Sequence, residues 1–188
     1  PDDQFTRWKS EYQSDILVSL ASLAGERMFF EGDNSSGVSG DLESATTIAS
    51  LMEGHWGMGS TISSHASNKR NEVGAPGAGK GKDDSGKEIR VALADRIENN
   101  LSSLLNRAEV ILRENQKKVL ALAHALEVNK TMTGDDVKAV LNFEAGPLID
   151  GRPYGNEENI AAIVRYHEAA VIAHKEHKKP EISLPAIK

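Results

Sequence analysis

Three groups of residues have types and spacings that could do chemistry. His167-Glu168-Ala-Ala-Val-Ile-Ala-His174 has the flavour of a zinc helix, in which two imidazoles share a face and a Glu lies near a bound water. The signature is HExxH, because i and i+4 bring both rings to one metal. Here the second His comes seven positions after the first. Two turns at 1.5 Å per residue separate the rings by about 10 Å, too far for two ligands that each stand about 2 Å from a zinc ion. His174 and His177 are i,i+3 neighbours within His-Lys-Glu-His-Lys-Lys, a run that suits a solvated helix C-terminus by its dipole.

The second group is Gly74-Ala-Pro-Gly-Ala-Gly79-Lys80, the skeleton of a phosphate-binding loop. Such a loop needs a buried strand before it and a helix directly after it, so that backbone N–H groups point at the phosphates. The residues ahead are SSHASNKRNEV, too polar for a central strand, and those behind are GKDDSGKE. Lys82 stands where a metal-binding hydroxyl would be needed. The reading is a Gly/Ser/Lys/Asp-rich flexible loop over about residues 60–86, whose composition buries too little apolar surface to order itself. The third group is Asp41, in Gly-Val-Ser-Gly-Asp-Leu at the start of an apolar-periodic stretch. On its own it reads as an N-cap accepting a backbone N–H.

The elements that must position these residues are helical. Residues 9–30 carry Ile16, Leu20, Leu23 and Arg27 on one stripe, with Ser10 as N-cap. The run from Gly32 to Gly37 breaks this helix, and a second follows from about Leu42 to Glu53 on an Ala45/Ala49/Met52 face. From about Lys87 to Glu127 apolar residues keep a helical spacing, with a possible break at Asn99-Asn100. Thr133-Gly-Asp-Asp136 predicts a short helix through Leu141, with Thr133 as N-cap and Asp136 reaching back. A last helix is expected over 157–177, then an extended tail after Pro180. No segment reads as strand. The fold class is all-α: a bundle of about five helices with one long Gly-rich loop.

Composition agrees. Apolar residues make up 39% and aromatics 5%, which suits an Ala/Leu/Ile-rich helical chain better than a sheet. A net charge of -6 gives no support to a general nucleic-acid binder, which usually presents a basic face. With no cysteine, disulfides, thiolate-bound zinc and thiol catalysis are excluded. No apolar run reaches the length of a membrane span. The sequence opens on Pro rather than Met and is expected to be a piece of a longer protein.

The stretch from Lys9 to Gly59 resembles the peptidase domain of FtsH-type AAA+ zinc metalloproteases. Ser10-Glu11, Asp15-Ile16, Ala24-Gly25-Glu26, Phe30, Ser36-Gly37-Val38, Asp41-Leu42, Ala45-Thr46 and Trp56-Gly57-Met58 fall in register with that family's pattern. Ala108 to Leu141 is similar to its closing helices. The family's Gly-Gly-Arg run is Ala21-Ser22-Leu23 here.

The resemblance implies an ATP-dependent zinc endopeptidase as the intact protein. Two His of an upstream HExxH would bind Zn2+, its Glu would activate water, and Asp41 would be the third ligand. It further implies an AAA+ module using ATP and Mg2+, a homohexamer, and protein or peptide substrates that are unfolded or extracted from membranes. Membrane anchoring through segments outside this chain is implied too, with this domain on the AAA+ side, in cytoplasm, matrix or stroma. Residues 1–141 would then be the trailing part of the peptidase domain and 142–188 an extension with one helix. The chain holds no catalytic residue of its own and by itself is expected to be inactive. The alternative is a non-catalytic helical module for assembly or partner binding.

Overall fold

The computed structural model describes residues 6–62 and 84–187, with side chains from residue 88 onward in the second stretch. Six α-helices are present among them: α1 (Lys9–Phe29), α2 (Ser39–Gly54), α3 (Asp84–Glu114), α4 (Gln116–Asn129), α5 (Gly134–Asn142) and α6 (Glu157–Lys175). Short 3-10 turns cover Ser36–Val38 and Arg152–Gly155. The described residues form no strand, only an isolated antiparallel bridge between Ala145 and Asp150. The all-α expectation holds. The chain divides into two compact units, Pro1–Ile111 and Leu112–Lys188.

The first unit is built on α1 and α2. Ile16 and Leu20 of α1 meet Ala45, Ala49 and Met52 of α2, and Leu104 of α3 completes the cluster. Alanines at 45 and 49 leave no side chain to hold the helices apart, and both are fully buried. The helices run antiparallel. Tyr12, in the first turns of α1, stacks on Trp56 beyond the end of α2 at 4.6 Å between ring centroids, while Glu26 near the end of α1 reaches Ser35 ahead of α2. Leu23 is buried as its place on the apolar stripe predicts, whereas Arg27 is exposed.

Several boundaries differ from the sequence expectations. Ser10 lies inside α1, and the flanking residue is Trp8, whose N–H donates to the Glu11 carboxylate at 2.6 Å. Helix α3 starts at Asp84, inside the stretch read as loop, and runs unbroken through Asn99-Asn100. Asn100 does not compete for its own backbone as Asn commonly does. Its amide instead donates to the buried Glu53 carboxylate at 3.0 Å. The break falls at Asn115, between α3 and α4. Glu53 also accepts from the Ser60 N–H at 3.1 Å, fastening the segment after α2 to the same carboxylate. A Cβ on Gly59 would collide with that side chain, which is why this approach needs a glycine. The phosphate-loop-like string Gly74 to Lys82 lies outside the described residues.

In the second unit, α5 begins as its sequence predicts. The Thr133 hydroxyl accepts from the Asp136 N–H, and Asp136 accepts from the Thr133 N–H. Asp136 is fully buried and does more than cap. Its Oδ2 takes the Thr133 N–H (3.0 Å) and hydroxyl (2.6 Å), and its Oδ1 takes the N–H groups of Leu148 (2.9 Å) and Ile149 (3.1 Å). The Thr133 hydroxyl bond leads the effects that hold this carboxyl at a pKa of about 2, against desolvation that acts the other way. Asn156 caps α6 through its side-chain oxygen and the Glu158 N–H at 2.8 Å.

Candidate metal-ligand site

Asp41 sits at the third position of α2, not at its cap. The flanking residue is Val38, which is buried and has no side-chain acceptor. The difference arises from the turn ahead: Ser36–Val38 winds as a 3-10 helix and feeds directly into α2, so the helix begins at Ser39. The Asp41 carboxylate is thereby released from capping. It is exposed and makes no hydrogen bond or ion pair among the described residues.

Its position is set from α1. The chain leaves α1 through Glu31 and Gly32, both with left-handed φ (54° and 92°), and returns along Asp33 to Ser35. Glu26 receives that return. One carboxylate oxygen accepts from the Ser35 N–H at 2.5 Å and the other from the Ser35 hydroxyl at 2.9 Å. The Ser35 hydroxyl in turn accepts from the Gly37 N–H at 3.0 Å and caps the 3-10 turn. Val38 then anchors the turn in the core. Two bonds and one buried side chain thus fix where α2 starts and where Asp41 projects. Sequence reasoning named Glu26 only as part of a matching run. The available signal was Ser35-Ser-Gly37, an ST-turn pattern, a few residues past a helix with Glu26 in its last turn.

Beside Asp41 along α2 runs a shallow groove of about 450 Å³, lined by Leu42, Glu43, Thr46, Thr47, Ser50 and Leu51. The Thr46 and Ser50 hydroxyls donate to the carbonyls of Leu42 and Thr46, both at 2.7 Å. They are satisfied within the helix, so the groove offers mainly apolar surface.

Asp41 can supply one oxygen donor to a metal. No group of three or more His, Asp or Glu side chains with metal-binding geometry occurs among the described residues. A catalytic zinc takes three protein ligands and keeps a fourth position for water. One exposed carboxylate without an internal partner fits a single place in that set. The His pair on α6 lies in the other unit: His174 is exposed in the last turn and His167 is half-buried. No helix among the described residues is long and apolar enough to cross a membrane.

Residues 1–140 match the model of peptidase family M41. An "ATP-dependent zinc metalloprotease YME1L" of Drosophila melanogaster is 37% identical over 135 residues, covering 71% of this chain and 17% of the relative. An "ATP-dependent zinc metalloprotease FtsH" of Pelobacter propionicus is 28% identical over 153 residues, covering 78% of this chain and 24% of the relative. A second FtsH, from Symbiobacterium thermophilum, is 26% identical over 141 residues, or 75% of this chain and 23% of the relative. The chain therefore spans a quarter or less of each of these relatives. No solved structure matches it.

Proposed function

Since the chain belongs to peptidase family M41, we propose that it is the trailing helical part of a zinc endopeptidase domain in an ATP-dependent FtsH-like protease, with Asp41 as the carboxylate ligand. The observation that carries this reading is the exposed, unpartnered Asp41 carboxylate at a position held by Glu26 and Ser35. A capping aspartate would have spent its oxygen on backbone N–H groups, and this one has not.

Asp41 contributes charge and an oxygen donor from a rigid helix start, a better platform for a ligand than a loop. When bound, zinc would polarise the scissile carbonyl and lower the pKa of its water. The remaining ligands and the general base would come from sequence outside this chain, as would an AAA+ module using ATP and Mg2+. The same reading extends to a homohexamer acting on unfolded or membrane proteins, anchored to a membrane by segments outside the chain. It leaves the isolated chain without proteolytic activity.

The test is Asp41→Ala in the intact protein. Bound zinc falls well below one per chain and casein hydrolysis is lost, while helicity and Tm stay at wild-type values. Full zinc occupancy in the variant would remove Asp41 from the metal. A non-catalytic module is the second reading, favoured by Leu23, a buried core residue where the family's pattern has Arg. That module would show neither zinc nor any effect of the substitution.

A further inference from the structure

The second unit holds a binding arrangement that the metal site does not use. A cavity of about 310 Å³ lies between α4 and α6, bordered by Leu120, Ala123 and His124 of α4, Ile163 and Ala170 of α6, and Leu184 of the C-terminal tail. His124 is buried, and both of its ring nitrogens are engaged. Nε2 stands 2.8 Å from the Pro185 carbonyl oxygen and Nδ1 stands 2.8 Å from the Tyr154 hydroxyl. A carbonyl only accepts, so Nε2 carries the proton and donates to the tail. In the neutral ring Nδ1 then accepts from Tyr154, which fixes the imidazole plane. His124 lies within the residues matched by the family model, whereas Tyr154, Leu184 and Pro185 lie beyond residue 140, where the match ends.

These contacts have the form of peptide recognition. One main-chain carbonyl is read by a pre-oriented donor, and one apolar side chain, Leu184, borders a cavity whose aliphatic lining is joined by Glu127, Tyr166 and His167. The tail contains neither helix nor strand from Ser183 to Ile187, so it contributes no internal ladder of its own. Pro180 and Pro185 restrict its free conformations and reduce the entropy lost on docking. We propose that the α4–α6 groove is a peptide-recognition site whose present occupant is the chain's own C-terminal segment, and that it takes the same segment from a second copy of this chain. Every copy carries an identical ligand, and the short tether gives the cis segment an effective concentration on the order of millimolar. Cis docking therefore wins in dilute solution, and exchange between copies requires the cis tail to be released or the copies to be held together.

The probe is a fluorescein-labelled peptide of residues Glu181–Lys188, added to the full chain. Leu184→Asp removes the apolar side chain, puts a carboxylate into a cavity that Glu127 already lines, and releases the cis tail. This variant is expected to bind the peptide saturably, at least tenfold tighter than wild type, with binding lost on adding His124→Phe. A folded Leu184→Asp chain with no saturable binding overturns the proposal, as does equal binding of a peptide of scrambled order. The wild-type chain gives a second measurement that needs no variant. Saturating unlabelled peptide must move the Leu184 methyl NMR signals toward their free-chain positions, because it displaces that side chain from the cavity, and unmoved signals refute tail exchange.

Discussion

Replacing Glu26 with Ala tests how Asp41 is positioned. The substitution removes two hydrogen bonds to Ser35, at 2.5 and 2.9 Å, both to a charged acceptor. Buried bonds to charged groups contribute about 1.5–3 kcal/mol, but the Ser35 donors are exposed and water can replace the carboxylate. The net local loss is then about 1–2 kcal/mol for the pair, a factor of roughly 5–30 in the opening equilibrium of the loop. Core packing of α1 on α2 does not involve Glu26, so the global transition should move little. Native-state hydrogen exchange reads this directly. The Ser35 and Gly37 amides should exchange roughly 5–30 times faster in Glu26→Ala, with protection in the middle of α1 and α2 unchanged. Glu26→Gln keeps an acceptor for the Ser35 N–H and should recover most of the protection. Ser35→Ala removes the hydroxyl bond and keeps the N–H one, so Glu26→Ala should cost less in that background and the double-mutant cycle should show coupling on the order of 1 kcal/mol. Unaltered exchange at Ser35 and Gly37 in Glu26→Ala would refute the positioning argument.

Other perturbations probe the second unit and the core. Asp136 is held at about pH 2 in the fold, below the ordinary carboxyl range, so its stabilisation is complete above about pH 4 and is lost as pH falls through 2. Thermal melts of the isolated chain from pH 5 to pH 2 should show that loss, and Asp136→Asn should flatten this part of the profile. Gly151→Ala presses a methyl into the Ala139 and Val140 backbone although its φ of -81° suits any residue, so it should cost about 1–3 kcal/mol by urea denaturation from overpacking alone. Ile16→Ala empties a fully buried site among Leu20, Ala45, Ala49 and Met52 and should cost about 2–5 kcal/mol in the same assay.

Helices whose faces bury one continuous stripe were legible from periodicity. Helices α1 and α6 lie close to where their apolar spacing puts them, and the Thr133/Asp136 capping box of α5 is complete in four residues of sequence. What escaped were interactions with a distant partner. Asn100 reads as a helix breaker until Glu53, 47 residues away, takes its amide. The start of α2 at Ser39 departs from the expected Leu42 because a 3-10 turn carries no periodic signature and Val38 makes an unusual flanking residue. Asp41 is singled out only through the resemblance. Its release from capping is not legible in the sequence, since that depends on where the preceding turn ends. His124 carries no signal in the sequence. A lone histidine in an Ala/Leu-rich helix reads as filler until the tail, 61 residues on, comes back to it.

Asp136 has a practical consequence for anyone who shortens this protein. The family match stops at residue 140, which invites a cut at about Leu141 to isolate the homologous portion. Such a cut would discard Leu148 and Ile149, whose N–H groups supply two of the four bonds that keep a fully buried carboxylate ionised. It would also discard Tyr154 and Pro185, the two partners of His124. The trimmed polypeptide would retain the residues that the family model matches yet leave Asp136 half-satisfied and His124 without either of these partners. Expression boundaries for this protein are better drawn by where its hydrogen bonds close than by where the family model stops.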